Sequence, residues 1–157
     1  MAQTALKDGA KAPPLTLPTD GGGEVSLKAL AGKIVVVYFY PKDDTTGCTK
    51  EAIGFTEKAK DFAKAGAVVI GISKDSPAKH DKFKIKHKLD LILASDEEGK
   101  VVERYGAWVE KTLYGRKYMG IDRSTFLIDK TGVVRRIWRK VKVPGHVEEV
   151  LDAVKTL

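Results

Sequence analysis

The residue best suited to covalent chemistry in this sequence is Cys48, its single cysteine. It follows a long apolar segment, residues 34–40, at the point where a polar loop is predicted to become a helix. In open α/β sheets, ligand sites lie outside the carboxyl ends of the strands, which is where this pattern places Cys48. At the first turn of a helix, unpaired backbone N–H groups and the positive end of the dipole stabilise a thiolate, the nucleophilic form. From its position alone, Cys48 fits a reactive nucleophile and a small buried apolar residue equally well.

A reactive thiolate at Cys48 needs more than a helix N-terminus. A free thiol has a pKa of about 8.5 and is only a few per cent thiolate at pH 7. Lowering that pKa by about two units takes roughly 2.7 kcal/mol, whereas a helix terminus contributes about 0.3–1 kcal/mol and at best near 2. An arginine is the strongest second source, because its guanidinium stays charged. Asp43 and Asp44 would oppose a thiolate, so they must face solvent or a basic partner.

Composition restricts the class of protein. The 157 residues include 28 Lys plus Arg against 21 Asp plus Glu, a formal net charge of +7, and one cysteine. One cysteine excludes an intramolecular disulfide, a Cys-x-x-Cys redox pair and a multi-cysteine zinc site. No repeat or linker divides the sequence, so we predict a single domain over residues 1–157. The positive charge favours anionic partners non-specifically and does not identify a function.

The sequence contains no predicted membrane segment. Its longest uninterrupted apolar run, residues 34–40, is seven residues long, whereas a membrane-spanning helix needs about 20. Residues 1–14 lack the apolar core of a secretory signal. We therefore expect a cytoplasmic protein with no membrane partner.

The alternation of predicted strands and helices indicates an α/β protein. Residues 34–40 form a β-branched and aromatic run, which is typical of a central strand buried on both faces. Apolar residues then recur at helical spacing over residues 48–65, and residues 67–72 form a second apolar strand, which together predict a parallel β-α-β unit. Residues 15–17 and 24–26 flank a glycine cluster and predict an N-terminal β-hairpin.

The rest of the chain continues the same pattern. The remaining predicted elements are a short helix over residues 27–31 capped by Ser26, a helix over 76–88 capped by Ser76, a strand over 91–94, a helix over 100–105, a loop with Trp108 and Tyr114, a hairpin over 124–128 and 133–138, and a helix over 146–157. Parallel units combined with an antiparallel hairpin predict a mixed central sheet with helices on both faces.

Two motifs resemble those of a known family. Residues 38–52 read YFYPKDDTTGCTKEA. In this segment Pro41, Thr45 and Cys48 match the Pro-x-x-x-Thr-x-x-Cys signature of the peroxiredoxins. Further along the chain, Arg123 matches the arginine of the family's second motif. Over nearly its whole length the chain resembles the peroxiredoxin Q subfamily, also called bacterioferritin comigratory protein.

The resemblance implies a thioredoxin-like fold and a peroxidase that reduces hydrogen peroxide and organic hydroperoxides in antioxidant defence and redox homeostasis, with no cofactor. In that mechanism the Cys48 thiolate attacks a peroxide oxygen and becomes a sulfenic acid. Thr45 would position the reacting atoms, Arg123 would hold the negative charge, and Pro41 would shield the sulfur. The same three residues also have ordinary structural interpretations, as a helix N-cap, a surface ion-pair residue and a strand end.

The sequence departs from many members of that subfamily because it has no second, resolving cysteine. The two positions where such relatives carry one correspond to Ile53 and Lys84. A sulfenic acid on Cys48 must then be reduced by an external thiol, for which thioredoxin, glutaredoxin and glutathione are open, or enter a Cys48 to Cys48 disulfide between two chains. We expect a monomer or a weak dimer.

Other functions compete with this hypothesis. Residues 79–88 hold the largest basic cluster, which is typical of a solvated helix face but would also suit nucleic-acid phosphates or an acidic protein. Aromatic interleaving for base stacking is lacking, so no specific nucleic-acid binding is predicted. His80 and His87 could share a helix face, but no third ligand accompanies them and no metal site is predicted. A redox-inert thioredoxin-like module that binds unfolded clients would leave Cys48 unreactive.

Overall fold

Nine strands and five helices form residues 6–157, the range that this computed structural model describes. Residues 1–5 lie outside that range. The start of the predicted domain, and the first part of the segment in which no secretory signal is predicted, therefore lie outside the described residues. The strands are β1 (Thr16–Pro18), β2 (Glu24–Ser26), β3 (Ile34–Phe39), β4 (Ala67–Ser73), β5 (Ile92–Ser95), β6 (Trp108–Leu113), β7 (Arg116–Ile121), β8 (Ser124–Ile128) and β9 (Val134–Trp138). The helices are α1 (Thr46–Glu57), α2 (Ala59–Lys64), α3 (Pro77–His87), α4 (Lys100–Arg104) and α5 (His146–Lys155), with 3-10 turns at Asp20–Gly22 and Lys28–Leu30.

A five-stranded mixed sheet forms the centre of the fold, in the order β5-β4-β3-β8-β9. β3 pairs in parallel with β4 and β4 with β5, through crossovers that contain α1 and α2 in the first case and α3 in the second. β3 also pairs antiparallel with β8, and β8 with β9. β1 and β2 form a separate hairpin. The predicted mixed sheet, its central strand, the β-α-β unit and the N-terminal hairpin are therefore confirmed.

Both faces of the sheet are covered, because every residue of β3 is buried. Val35 and Phe39 contribute to one apolar cluster, which also contains side chains of the β1–β2 hairpin and α4. Val36 and Tyr38 contribute to the other, where α1, α2, α3 and α5 pack. Alternate side chains of one strand thus hold two layers of structure together, as the continuous apolar run predicts.

The helix predicted over residues 48–65 is two helices. α1 starts two residues earlier than predicted, and the backbone of Lys58 (φ −100°, ψ 8°) separates it from α2. The apolar stripe continues across the break, since Phe55 and Phe62 are both buried with ring centroids 5.7 Å apart. The spacing predicts the buried face correctly, but it contains no signal for a break at Lys58, because this polar residue contributes nothing to the stripe.

The prediction of a loop around Trp108 and Tyr114 is wrong. β6 and β7 pair antiparallel as a two-stranded hairpin separate from the central sheet. Tyr114 and Gly115 form its turn with φ values of 50° and 77°, the positive values that a tight two-residue hairpin turn requires. Three of the six residues of β6 and four of the six of β7 are exposed, and only Ile121 is buried, so the apolar alternation that identifies a half-buried strand is absent.

One of the two predicted helix caps is present. Ser76 is the N-cap of α3, where its Oγ accepts a hydrogen bond from the Lys79 N–H at 3.3 Å. The helix predicted over residues 27–31 is only a 3-10 turn, Lys28–Leu30, whose N-cap is Leu27 and not Ser26. Ser26 ends β2, and its Oγ accepts a hydrogen bond from the Ala29 N–H at 3.1 Å. No helix between residues 6 and 157 is long and apolar enough to cross a bilayer.

Gly71→Ala tests how tightly the sheet packs under Tyr38. A Cβ at Gly71 would lie 2.7 Å from Tyr38 Cζ and Oη. The Tyr38 ring is fully buried and stacked on Phe55 at 4.7 Å, so it has little room to move. We expect the free energy of unfolding, measured by urea denaturation, to fall by about 1–3 kcal/mol.

Gly120→Ala in β7 is the matched control for that measurement. A Cβ there would meet the flexible side chain of Lys111 at 3.3 Å and the half-exposed ring of Tyr118 at 3.4 Å, both of which can shift. The urea midpoint of this variant should stay close to that of the wild type. Equal losses in the two variants would contradict the packing argument.

Candidate active site

Cys48 lies in the first turn of α1, after the loop that leaves the carboxyl end of β3. The first backbone bond of the helix runs from the Thr49 N–H to the Thr45 C=O at 2.9 Å. The N–H groups of Gly47 and Cys48 precede it and have no backbone acceptor among the described residues. They are therefore available to bind an anion at the N-terminus of the helix. The cysteine is only 1% exposed. Cys48 therefore occupies the position predicted for a nucleophile and is buried as well.

Arg123 brings a positive charge to the sulfur. It lies between β7 and β8, and the pairing of β8 with β3 carries it to the Cys48 end of the sheet. Its Nη2 donates to Cys48 Sγ at 3.3 Å, and its Nη1 donates to Glu51 Oε1 at 2.8 Å. Its C=O accepts from the Val141 N–H at 2.9 Å, which holds the backbone in place. The second cationic source expected for a reactive thiolate is therefore beside the sulfur.

Glu51 is the residue of this site that the sequence reasoning missed. It lies three residues after Cys48 in α1, which places both side chains on one face of the helix. It is fully buried, and its Oε2 has no hydrogen-bond partner within the described range. Burial raises the pKa of Glu51 to about 7, although Arg123 acts in the opposite direction. The three-residue spacing on a predicted helix was the available signal.

The charge of Arg123 is itself maintained by its neighbours. Burial disfavours the charged guanidinium, but the Glu51 carboxylate and the Cys48 sulfur outweigh it and raise the pKa of Arg123. The approach is close, because a Cβ at Gly47 would lie only 3.1 Å from Arg123 Nη2. A side chain at Gly47 would press on the very atom that donates to the sulfur. The glycine before the cysteine thus leaves space for the guanidinium.

Thr45 and Pro41 lie in the loop that precedes α1 and Cys48, and both are exposed. The Thr45 hydroxyl donates to the Lys42 C=O at 2.9 Å and not to the sulfur. Thr45 is the N-cap residue of α1, yet its side chain makes no capping hydrogen bond. Of the four predicted site residues, the structure joins Cys48 and Arg123 by a hydrogen bond, while Thr45 and Pro41 lie in the preceding loop without a hydrogen bond to the sulfur.

Both acidic residues of this loop bind basic partners on α3. Asp43 is buried and lies 2.6 Å from His80 Nδ1. Asp44 accepts hydrogen bonds from Lys86 Nζ at 2.6 Å and from His87 Nε2 at 2.8 Å. The hydrogen bonds from His87 and Lys86 lower the pKa of Asp44. The condition set by the sequence, that these carboxylates face solvent or a basic group, is met.

Comparison with known proteins identifies the family. The model of the AhpC/TSA family matches residues 9–137. The chain belongs to the AhpC/TSA family. A putative peroxiredoxin bcp of Coxiella burnetii is 54% identical over 94% of this chain and 97% of the relative. Peroxiredoxin Bcp of Bacillus subtilis is 50% identical over 97% of each. Membership of the peroxiredoxins, and likeness to their Q or Bcp subfamily, is confirmed.

A solved structure supports the same assignment for the fold. The bacterioferritin comigratory protein of Xanthomonas campestris matches this peroxiredoxin with a TM-score of 0.87 at 43% identity, over 90% of each chain. The predicted thioredoxin-like fold is therefore confirmed.

Replacing Arg123 tests its contact with the sulfur. Arg123→Ala removes the Nη2 donor, and we expect oxidation of Cys48 by hydrogen peroxide to slow by about 10²-fold or more, as for other lost donors at a developing charge. Arg123→Lys keeps a charge but cannot donate to Sγ and Glu51 in the same fork, so an intermediate rate is expected. Stopped-flow measurement of peroxide consumption reports both, and unchanged rates would remove Arg123 from the site.

Glu51→Gln tests the buried carboxyl through the pH dependence of stability. Because the folded pKa of about 7 lies above the unfolded value of 4.5, the unfolded chain loses this proton first as the pH rises. The Glu51 contribution to stability therefore falls between about pH 4.5 and 7, by an amount on the order of 3 kcal/mol. The free energy of unfolding of the wild type minus that of Glu51→Gln, measured with urea across this range, should therefore decrease as the pH rises. Parallel curves would show that Glu51 ionises as easily when folded.

Proposed function

We propose that the thiol-dependent peroxidase activity of this peroxiredoxin resides in Cys48, assisted by Arg123. The observation that carries the proposal is the 3.3 Å hydrogen bond from Arg123 Nη2 to Cys48 Sγ at the first turn of α1. It combines the two features that favour a thiolate, a helix N-terminus and a permanent positive charge. An inert buried cysteine needs neither of them.

In the first step, the Cys48 thiolate attacks one oxygen of the peroxide. A sulfur–oxygen bond forms and the oxygen–oxygen bond breaks, so the sulfur is oxidised to a sulfenic acid and the peroxide is reduced. The leaving oxygen takes a proton and departs as water or an alcohol. Negative charge moves from sulfur to that oxygen, and in this proposal Arg123 and the N–H groups of Gly47 and Cys48 stabilise it. The Arg123 contact with Sγ and the lack of a backbone acceptor for these two N–H groups within the described residues support this role.

Thr45 and Pro41 have narrower roles in this proposal. Because the Thr45 hydroxyl proton is used by the Lys42 carbonyl, the oxygen of Thr45 has lone pairs left to accept a hydrogen bond from the peroxide O–H. Thr45 thus orients the substrate as an acceptor. Pro41 has no N–H, so in this proposal it shields the sulfur without competing for the hydrogen bonds of the peroxide.

The substrates we propose are hydrogen peroxide and organic hydroperoxides. The Xanthomonas campestris relative is described by its alkyl peroxide reduction activity. Its 43% identity and matching fold support the same substrate class for this chain. Removal of such oxidants would make the protein part of antioxidant defence.

The second half of the cycle requires a thiol from outside the chain. The sequence has no other cysteine, so the sulfenic acid forms a mixed disulfide with thioredoxin, glutaredoxin or glutathione, with loss of water, and a second thiol releases it. Ile53 packs against the cluster that contains Cys48, and Lys84 Nζ binds Asp20 at 2.7 Å. Both positions where relatives carry a second cysteine therefore have structural contacts of their own. A monomer or weak dimer suffices for this cycle.

A reducing compartment fits this requirement. The unpaired thiol and its external thiol reductant both need an environment in which disulfides do not accumulate. We therefore propose a cytoplasmic location.

Cys48→Ser tests the proposed nucleophile. The substitution nearly preserves volume at a buried position, so folding should be retained while consumption of hydrogen peroxide and of tert-butyl hydroperoxide is lost. Stopped-flow kinetics give the rates, and mass spectrometry of the wild type after one equivalent of peroxide should show one added oxygen on Cys48. Oxidation of the wild type no faster than a free thiol would favour the redox-inert module instead.

A further inference from the structure

The basic cluster on α3 separates into paired and free cations. His80 is buried against Asp43, and Lys84 binds Asp20 at 2.7 Å. In contrast, Lys79 and Lys82 are exposed and form no ion pair within residues 6–157. The helix thus uses part of its charge to hold the fold and leaves part unbalanced.

The free lysines line a concave surface beside the active-site loop. Lys79 and Lys82 of α3 face Lys42 of the loop across a cavity of about 360 Å³. This volume lies within the range of about 300–1,000 Å³ that is typical of small-molecule sites. The other lining residues are Asp43, Asp44, Asp75, Phe83 and Lys86.

The carboxylates of the cavity are already bound, so they do not cancel these lysines one for one. Asp43 is paired with His80, and Asp44 with Lys86 and His87, as described above. Asp75 Oδ2 accepts hydrogen bonds from the Asp43 N–H at 2.8 Å and from the Ser73 hydroxyl at 2.7 Å. Asp75 keeps its negative charge, because both of these donors are neutral, so the four lysines of the lining exceed its three aspartates by one formal charge. Lys42, Lys79 and Lys82 form no ion pair within residues 6–157, and this local excess of positive charge suits an anionic ligand.

The position of the cavity connects it with the sulfur chemistry. One wall is residues 42–44 of the loop that leads to Cys48. Another wall is Phe83, which belongs to the same buried cluster as Cys48. A ligand held here lies against the segment that has to open for a thiol to reach a sulfur that is 1% exposed.

We propose that this cavity binds the carboxylates of a low-molecular-weight thiol and so selects an anionic thiol as the reductant of oxidised Cys48. The inference rests on the proposed peroxidase function and specifies its second substrate. The bound thiol attacks the sulfenic sulfur, a sulfur–sulfur bond forms, the sulfur–oxygen bond breaks, and the oxygen leaves as water with the thiol proton. A second thiol then releases Cys48 and forms the small-molecule disulfide. The concave shape favours a small ligand over the flat surface of an acidic protein.

The test compares two charge-reversed double variants of the full chain. Lys79→Glu with Lys82→Glu alters the cavity, whereas Lys60→Glu with Lys64→Glu changes the net charge equally on α2, which leads into the opposite end of the sheet. Each protein is oxidised with one equivalent of hydrogen peroxide and mixed with glutathione in a stopped-flow instrument. We expect the rate of mixed-disulfide formation to fall about tenfold or more in the cavity variant and to stay near the wild-type rate in the α2 variant.

Esterified glutathione separates carboxylate binding from thiol reactivity. With glutathione diethyl ester, the wild type should react as slowly as the cavity variant does with glutathione, and raised salt should reduce the wild-type advantage. Equal rates with glutathione and its diester, or equal slowing in both double variants, would overturn the inference. Selective slowing of the cavity variant with thioredoxin but not with glutathione would also overturn it, in favour of an acidic protein surface.

Binding can also be measured without any turnover. Titration with S-methylglutathione, which cannot react, should shift the backbone amide resonances of residues 42–44 and 79–86 in the wild type and not in the cavity variant. Absence of these shifts in the wild type would refute the site even if Cys48 proved inert to peroxide. Failure of peroxide to oxidise Cys48 with the shifts intact would refute the proposed function and leave an anion site in place.

Discussion

The guanidinium of Arg123 is shared between a sulfur and a buried carboxylate, and the architecture of the site follows from that sharing. Nη2 can reach Cys48 because Nη1 is held by Glu51 one turn further along the same helix. The geometry needs β8 beside β3 to deliver the arginine, and it needs Gly47 to leave it space. The carboxylate that orients the guanidinium also competes with the sulfur for its charge. Burial reduces this competition, because it favours the neutral form of Glu51 near pH 7.

The two aspartates of the loop before Cys48, which could oppose a thiolate, instead attach the loop to α3. Two aspartates close to a thiolate would oppose it, but Asp43 and Asp44 are bound by α3 through His80, Lys86 and His87. His80 Nε2 also lies 3.0 Å from the Ala94 carbonyl, an oxygen that only accepts. Both ring nitrogens of His80 therefore lie within hydrogen-bond distance of oxygen atoms, one on the loop and one on β5. The same contacts neutralise the loop and hold it against the helix.

The sequence predicts most of the frame and half of the site. β3 can be predicted because burial on both faces leaves an uninterrupted apolar run, and the first crossover helix because its apolar residues recur at helical spacing. Cys48 and Arg123 can be predicted because both stand in motifs that resemble those of the peroxiredoxins. Glu51 has only a weak signal, its three-residue spacing from Cys48, because the sequence shows neither that this acid is buried nor that it contacts Arg123. The direction of the Thr45 hydroxyl depends on the conformation of the loop, which spacing does not encode. Lys58 interrupts a helix without interrupting its apolar stripe.

Charged residues in the β6–β7 hairpin weaken the sequence signal for its strands and also protect the strand edges from pairing with another chain. A two-stranded ribbon apart from the main sheet exposes unpaired N–H and C=O groups along both edges, and such edges readily pair with another chain. Its strands carry Glu110, Lys111, Arg116 and Lys117. These charges remove the apolar alternation that would have predicted the hairpin, and they also discourage another chain from adding to its edge. The residues that conceal this ribbon from sequence-based prediction are therefore the same ones that protect its open edges in the fold.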